Sequence, residues 1–207
     1  DLINKISHIR PTNNMFHSDE LTNFINKFEK YTFTNNFHLT CTGALAIEAI
    51  SRGAKSATLV DSNYNNLNLA KNNSHHLQIS EKFAFISNYV EKLPYNQNYF
   101  DLIFLDPPYK SDYLCLVKNL ITNNWWQKKS ILIIELNFKD NNLIDEESIK
   151  MISGTRGIKQ NFQKIITELS NHLNKILAPE LNNLELNLSV IDCKKYGTTL
   201  FLLLKLS

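Results

Sequence analysis

Residues 101–109 read Asp-Leu-Ile-Phe-Leu-Asp-Pro-Pro-Tyr, an apolar run that stops abruptly at an acid and two prolines. The run has the length and character of a buried strand, which we predict over residues 101–105. Proline has no N–H to donate to a sheet and does not continue a helix, so this strand must end at Asp106. The sequence therefore holds a carboxyl group and an aromatic ring, Tyr109, at the end of a buried strand.

On both sides of this stretch, predicted strands alternate with predicted helices. The predicted strands cover residues 37–42, 57–61, 83–86 and 130–135, and the predicted helices cover residues 17–30, 43–52, 65–77, 113–121 and 160–178. Such alternation indicates βαβ units and a mostly parallel, twisted sheet flanked by helices, with ligands at the carboxyl ends of the strands. Two tail strands, 185–192 and 198–206, are predicted to pair as an antiparallel hairpin that turns at residues 194–197.

Length and composition exclude several classes of protein for this chain. The chain has 207 residues and a net charge of +2, which fits one domain and excludes a strongly basic nucleic-acid binder. Three widely spaced cysteines form no zinc pattern, so no metal site is expected. No apolar run is long enough to span a membrane, and the amino end lacks a signal-peptide pattern. We therefore expect a cytoplasmic protein, and a monomer.

Two further strand ends carry polar groups. Thr42 and Gly43 stand where a strand enters a helix, and free N–H groups at a helix N-terminus can hold a carboxylate or phosphate. Asp61 ends the next strand, where an acid can accept hydrogen bonds from ribose hydroxyls. Both positions have a plainer interpretation: Thr42 and Gly43 can form an ordinary capped turn, and Asp61 can be a turn-forming residue.

Residues 106–109 carry the sharper signal. Asp106 together with a neighbouring proline carbonyl can accept both hydrogens of an exocyclic amine, and Tyr109 offers a flat face on which a base can stack. The plainer alternative is a Pro-Pro turn with a solvated aspartate and a packed tyrosine.

Taken together, these motifs resemble those of a known family. The Asp-Pro-Pro-Tyr motif is typical of S-adenosylmethionine-dependent methyltransferases that act on exocyclic amines of bases. Residues 43–54, Gly-Ala-Leu-Ala-Ile-Glu-Ala-Ile-Ser-Arg-Gly-Ala, and residues 10–12, Arg-Pro-Thr, resemble stretches of the RsmD-type 16S rRNA guanine-N2 methyltransferases. The resemblance covers about residues 9–140 and resumes weakly at residues 188–204.

The resemblance implies a class-I methyltransferase fold, with S-adenosylmethionine as cofactor and small-subunit rRNA, free or in an assembling 30S-type particle, as partner. It implies one domain over residues 1–207, whose residues 1–30 lie on the RNA or substrate side. By the same resemblance, Asp106, the Pro107 carbonyl and Tyr109 hold the amine and its base. The implied cofactor-binding residues are Thr42, Gly43, Asp61, Asn88 and Asp106, and the implied RNA-binding residues are Arg10, Thr12, Pro108 and Tyr109.

The sequence departs from the family pattern in two places. Phe37 stands where the family has an acid and Cys41 where it has the first glycine of the cofactor loop, which predicts weakened or lost activity. Residues 141–184 are longer than the family's connection there and are interpreted as an insertion. Two alternatives stay open: methylation of adenine N6 or another exocyclic amine, and a degenerate RNA-binding relative without catalysis.

Overall fold

The computed structural model describes residues 36–39, 43–108, 110–137, 141–148, 152, 162–196 and 198–207. Within these residues one sheet is flanked by helices. Its strands are β1 Asn36–Leu39, β2 Ala57–Asp61, β3 Phe83–Ser87, β4 Phe100–Leu105, β5 Ile131–Asn137, β6 Leu188–Tyr196 and β7 Thr199–Leu206. The helices are α1 Ala44–Ser51, α2 Tyr64–His76, α3 Tyr113–Thr122, α4 Phe162–Ile176 and α5 Ala178–Asn183. The predicted helix 17–30 and the predicted RNA-side segment 1–30 lie outside the described residues.

The sheet has the strand order β3-β2-β1-β4-β5-β7-β6. Strands β1 to β5 are parallel, and β7 runs antiparallel to both β5 and β6. The predicted α/β fold, a mostly parallel sheet with an antiparallel hairpin at the carboxyl end, is confirmed. The order reverses between β1 and β4, and ligands of open α/β sheets gather at such a reversal.

Alternate side chains of the central strands enter two separate cores. On one face, Ile103 and Leu105 of β4 belong to a core that includes α3 and α4 residues. On the other face, Leu102 and Phe104 of β4 belong to a core that includes α1 and α2 residues. Helices lie on both faces of the sheet, and residues 102–105 of β4 and 131–136 of β5 are buried, which explains the continuous apolar runs in these strands. None of the described helices combines the length and apolarity that crossing a membrane requires.

Two predicted boundaries near the carboxyl end were wrong. The predicted turn at residues 194–197 begins later, because β6 continues through Tyr196. The predicted strand 185–192 starts only at Leu188, since Glu185 adopts a left-handed backbone with φ 52° that a strand cannot contain. The predicted helix 160–178 also divides in two: α4 ends at Ile176, and α5 starts anew with a proline in its first turn.

Residues 141–184, which the sequence analysis interprets as an insertion, include α4 in their described part, and α4 packs along the edge strand β6. The Asn174 side chain donates to the Leu188 carbonyl at 2.7 Å and accepts from the Leu188 N–H at 2.9 Å. The Ser170 hydroxyl accepts from the Val190 N–H at 2.9 Å. These bonds satisfy backbone groups that would otherwise be unpaired at the sheet edge.

Candidate active site

Four of the predicted site residues follow four adjacent strands. Gly43 stands between β1 and α1, Asp61 ends β2, Asn88 follows β3 and Asp106 follows β4. Because these strands are parallel and neighbouring, their carboxyl ends share one edge of the sheet. The structure thus brings together at this edge residues that are up to 63 positions apart in the chain (from 43 to 106).

Gly43 adopts a backbone conformation that favours glycine and leaves no room for a side chain. Its φ of 76° lies in the left-handed region, and a Cβ added to it would stand 2.8 Å from the Cβ of Ala70 and 3.2 Å from Leu59. The Gly43 carbonyl accepts the first helical bond of α1, from Ile47 at 2.9 Å. No side chain caps α1 and no acid stands in its first turn, so the positive end of this helix is not offset by an acidic side chain of its own.

The Asp61 carboxylate is partly used by its own loop. Its Oδ1 accepts from the Asn63 N–H at 2.8 Å and its Oδ2 accepts from the Asn66 side-chain amide at 2.9 Å. These bonds match the plainer interpretation of Asp61 as a turn-forming residue. They also orient the carboxylate, and since each oxygen can accept more than one bond, hydroxyl donors still have acceptor capacity there.

Asn88 is joined to Asp61 through the backbone and is held by its own loop through the side chain. Its N–H donates to the Asp61 carbonyl at 3.2 Å. Its side-chain oxygen accepts from the Tyr89 N–H at 2.9 Å, and its side-chain nitrogen donates to the Lys92 carbonyl at 3.2 Å. The loops after β2 and β3 are therefore linked directly. Asn88 lies next to Asp61, and its side chain is hydrogen-bonded within its own loop.

Asp106 is a buried acid at the end of β4. It is only 9% exposed, and burial raises its pKa from 3.8 to about 6. Pro107 is buried and Pro108 is exposed. The Pro108 carbonyl accepts from both the N–H and the hydroxyl of Ser111, at 3.1 and 2.6 Å. The plainer alternative, a solvated aspartate in a Pro-Pro turn, therefore fails for Asp106, which is not solvated.

Sequence reasoning missed a second acid at this edge, Glu135 of β5. It is 3% exposed, and its buried Oε2 forms no hydrogen bond with the residues that the structure describes. Burial raises its pKa from 4.5 to about 8, with a further contribution from the charge of Asp106. The available signal was the strand 131–135 itself, an uninterrupted apolar run that closes on a glutamate.

Other predicted site residues lie outside the described part of the chain: Arg10, Thr12, Thr42 and Tyr109. Their proposed contacts with RNA, cofactor and base stay predictions. Across the described residues, no cluster of three or more His, Cys, Asp or Glu side chains has a geometry that could hold a metal ion.

A shallow groove of about 390 Å³ lies elsewhere, along α3. Asp112, Cys115, Lys118 and Asn142 are among its lining residues. Asp112 caps α3 there, accepting from the Cys115 N–H at 2.9 Å and from Asn142 at 2.6 Å, and these bonds keep the pKa of Asp112 below its usual range. This groove contains none of the residues at the carboxyl edge of the sheet.

Comparison with known families identifies the family to which the chain belongs. The family model described as "Conserved hypothetical protein 95" matches residues 2–166. The chain belongs to this family. A Haemophilus influenzae protein named "Ribosomal RNA small subunit methyltransferase D" is 34% identical over 110 residues, which cover 51% of this chain and 57% of that protein. The protein of the same name from Buchnera aphidicola subsp. Baizongia pistaciae is 32% identical over 140 residues, covering 66% and 70%.

These matches confirm the resemblance to RsmD-type methyltransferases, although the first of them spans little more than half of the relative's length. Solved structures confirm the fold. An S-adenosylmethionine-dependent methyltransferase from Clostridium acetobutylicum superposes with a TM-score of 0.60, covering 99% of both chains at 13% identity. The chain thus has the class-I methyltransferase fold that the motifs implied.

Proposed function

We propose that the protein transfers the methyl group of S-adenosylmethionine to the exocyclic N2 amine of a guanine in small-subunit rRNA. The observation that carries the proposal is Asp106, a buried acid followed by two prolines at the carboxyl edge of a class-I methyltransferase sheet. A carboxylate in this position is a preorganised acceptor for an N–H donor, because it loses no water shell when the substrate arrives.

The residues at the sheet edge fit the cofactor. S-adenosylmethionine, expected from the sequence, is also the cofactor named for the Clostridium acetobutylicum neighbour. The Asp61 carboxylate retains acceptor capacity for ribose hydroxyls, and Asn88 is fixed beside it by the bond between their backbones. Gly43 leads into the uncapped end of α1, where N–H groups can meet a carboxylate. When bound, the cofactor supplies an electrophilic methyl group on a sulfonium.

The reaction then depends on orientation by the chain's own residues. Asp106, with a pKa of about 6, is ionised at neutral pH and accepts a hydrogen bond from an N–H of the amine. The Pro107 carbonyl is the proposed second acceptor, and Tyr109 is proposed to stack on the base. Together they aim the nitrogen lone pair, so that positioning and electrostatics supply most of the rate. A guanine in rRNA must leave its stack to reach this edge, so we expect base flipping.

The proposal is tested by methyl transfer from labelled S-adenosylmethionine to small-subunit rRNA and to isolated subunits, with the modified nucleoside identified after digestion. We expect N2-methylguanosine. N6-methyladenosine would instead support the alternative substrate. Absence of transfer to either form of RNA, with RNA still bound, would support the degenerate, non-catalytic relative that Phe37 and Cys41 suggest.

The role of Asp106 is tested by Asp106→Ala and Asp106→Asn. Both remove the charged acceptor, and we expect a loss of roughly 10²-fold or more in turnover, comparable to the loss of one oriented polar group. RNA affinity should stay unchanged, because Asp106 acts on a single flipped amine. Turnover near that of the wild type in both variants would contradict the assigned role. Asp112→Asn, at the α3 cap in the same loop, is the matched control, since Asp112 is exposed and its partners, Cys115 and Asn142, line the α3 groove rather than the edge of the sheet.

A further inference from the structure

Glu135 lies on β5, next to the end of β4 that Asp106 follows. The paired register of the parallel strands β4 and β5 ends with Phe104 opposite Ile133 and Leu105 opposite Ile134, and Asp106 and Glu135 each come one residue after that last pair. Phe104 and Ile133 face the core shared with α1 and α2, whereas Leu105 and Ile134 face the other core. The alternation of side chains along β5 places Glu135 back on the α1 side of the sheet. The charge of Asp106 contributes to the raised pKa of Glu135, so the two carboxyl groups are close to each other.

The surroundings of Glu135 are otherwise apolar. Phe201 of β7 stands directly opposite it and is 2% exposed, and the neighbouring positions on the same face are Phe104, Ile133 and Leu203. Among the described residues, Asp106 is the charged group that acts on Glu135. An ionised carboxylate in such a place costs several kcal/mol unless it is paired, as an order-of-magnitude rule. Glu135 has one buried oxygen, Oε2, for which none of the described residues provides a hydrogen bond.

We propose that Glu135 is a positioning residue for the amine acceptor: it keeps its proton at neutral pH and donates it in a hydrogen bond to the Asp106 carboxylate. The two carboxyl groups then share a single negative charge. The bond from Glu135 orients the Asp106 carboxylate, which is presented to the substrate amine. This inference rests on the proposed function, because it concerns the residue that would bind the amine.

The arrangement predicts a rate that depends on both acids. Asp106 must be ionised, so the rate rises as pH increases through about 6, the pKa of Asp106. Glu135 must be protonated, so the rate falls as pH increases through about 8, the pKa of Glu135. The wild type should therefore show a bell-shaped profile.

The experiment compares the pH dependence of methyl transfer to rRNA in the wild type, Glu135→Gln and Glu135→Leu. The glutamine keeps an N–H donor that does not titrate, so this variant should retain most of the neutral-pH rate and lose the alkaline decline. The leucine fills the space without a donor, so turnover should fall by about 10-fold or more, the loss expected for one hydrogen bond to a charged group. The matched control is Glu180→Gln on α5: Glu180 also has a buried oxygen without a hydrogen bond and pairs with Lys118 at 3.2 Å. It should keep the wild-type profile.

A second readout, the thermal unfolding midpoint as a function of pH, does not depend on activity. The pKa of Glu135 is raised in the folded state, so its stabilising contribution is complete below its ordinary pKa of 4.5 and is lost as pH rises through about 8. Relative to the wild type, Glu135→Gln should therefore gain stability as pH rises from 5 to 9, as expected from those two values. The midpoints of Glu180→Gln and the wild type should run parallel.

The outcomes separate the two proposals. A wild type that transfers no methyl group would overturn the proposed function, and the positioning role with it. An active wild type whose glutamine and leucine variants keep its rate and its alkaline decline would overturn the positioning role alone. Unfolding midpoints of Glu135→Gln that stay parallel to the wild type across this pH range would overturn the claim that Glu135 holds a proton.

Discussion

Gly43 lies so close to Ala70 that a Cβ on Gly43 would stand 2.8 Å from the Ala70 Cβ. This contact brings the start of α1 against α2, and thereby sets the loop after β1 next to the loop after β2. Glycine at position 43 is therefore required by packing, whatever it also does for a ligand. The resemblance implied a cofactor role for Gly43, and the structure supplies a separate, structural reason for the same residue.

The first prediction tests this contact with Gly43→Ala. The substitution places a side chain on a left-handed backbone and against Ala70. The backbone conformation alone should lower the free energy of unfolding by about 1–3 kcal/mol, and the contact with Ala70 should lower it further. Chemical denaturation measures it. Gly53→Ala is the matched control, because Gly53 also has a positive φ, 103°, but an added Cβ would meet nothing within 4 Å. Equal losses in the two variants would contradict the importance of the Ala70 contact.

The second prediction concerns the cofactor role of Asp61. Asp61→Ala removes an acceptor for the ribose hydroxyls, and the affinity for S-adenosylmethionine should fall by about 1–3 kcal/mol, the cost of hydrogen bonds lost from a charged group. Isothermal titration calorimetry measures the affinity. The free energy of unfolding is measured alongside, because the substitution also removes the bonds from Asn63 and Asn66.

Asn66→Ala is the control for that experiment. It removes the amide that bonds Oδ2 of Asp61 and leaves the carboxylate in place. Binding of S-adenosylmethionine should be unchanged in this variant, since the acceptor remains. If Asn66→Ala weakened binding as much as Asp61→Ala, the carboxylate would be acting through the turn rather than on the cofactor.

The third prediction concerns the unusual cofactor loop. Cys41→Gly should increase the affinity for S-adenosylmethionine, because a glycine allows the backbone to approach a ligand more closely. Calorimetry again measures it, with Cys115→Ser on α3 as a thiol-removal control that leaves affinity unchanged. Unchanged affinity in Cys41→Gly would show that the alignment of this loop with the family is wrong.

Phe37→Asp, the other change toward the family pattern, should not raise the unfolding temperature. Phe37 lies within β1, in register with Ala57 of β2 and Leu102 of β4, both buried. Aspartate is depleted in strands, whereas phenylalanine is enriched there. The double variant Phe37→Asp/Cys41→Gly should therefore melt at a lower temperature than Cys41→Gly alone, and an equal or higher midpoint would count against this placement of Phe37.

Local sequence was enough to predict the alternation of strands and helices and the end of β4. Residues 102–105 are continuously apolar, and the two prolines after Asp106 prevent the strand from continuing. Adjacent residues therefore determine both the strand and the point at which it ends. The predicted boundaries were wrong where contacts with distant residues, and not neighbouring residues, determine the end of a strand. β6 continues through Tyr196 because residues 192–196 each pair with a residue of β7, and that pairing is a tertiary contact.

The sequence by itself determined the fold class and placed Asp61, Asn88 and Asp106 at strand ends, because apolar periodicity and proline chemistry act over a few residues. Only the tertiary structure decided what each of them touches. The register of β4 against β5 sets Glu135 beside Asp106, and enclosure by Phe201 and its neighbours moves the pKa of Glu135 to about 8. Burial and electrostatic coupling come from residues distant in the chain, and for this reason the local pattern, a strand that closes on Glu135, did not show that this acid lies beside Asp106.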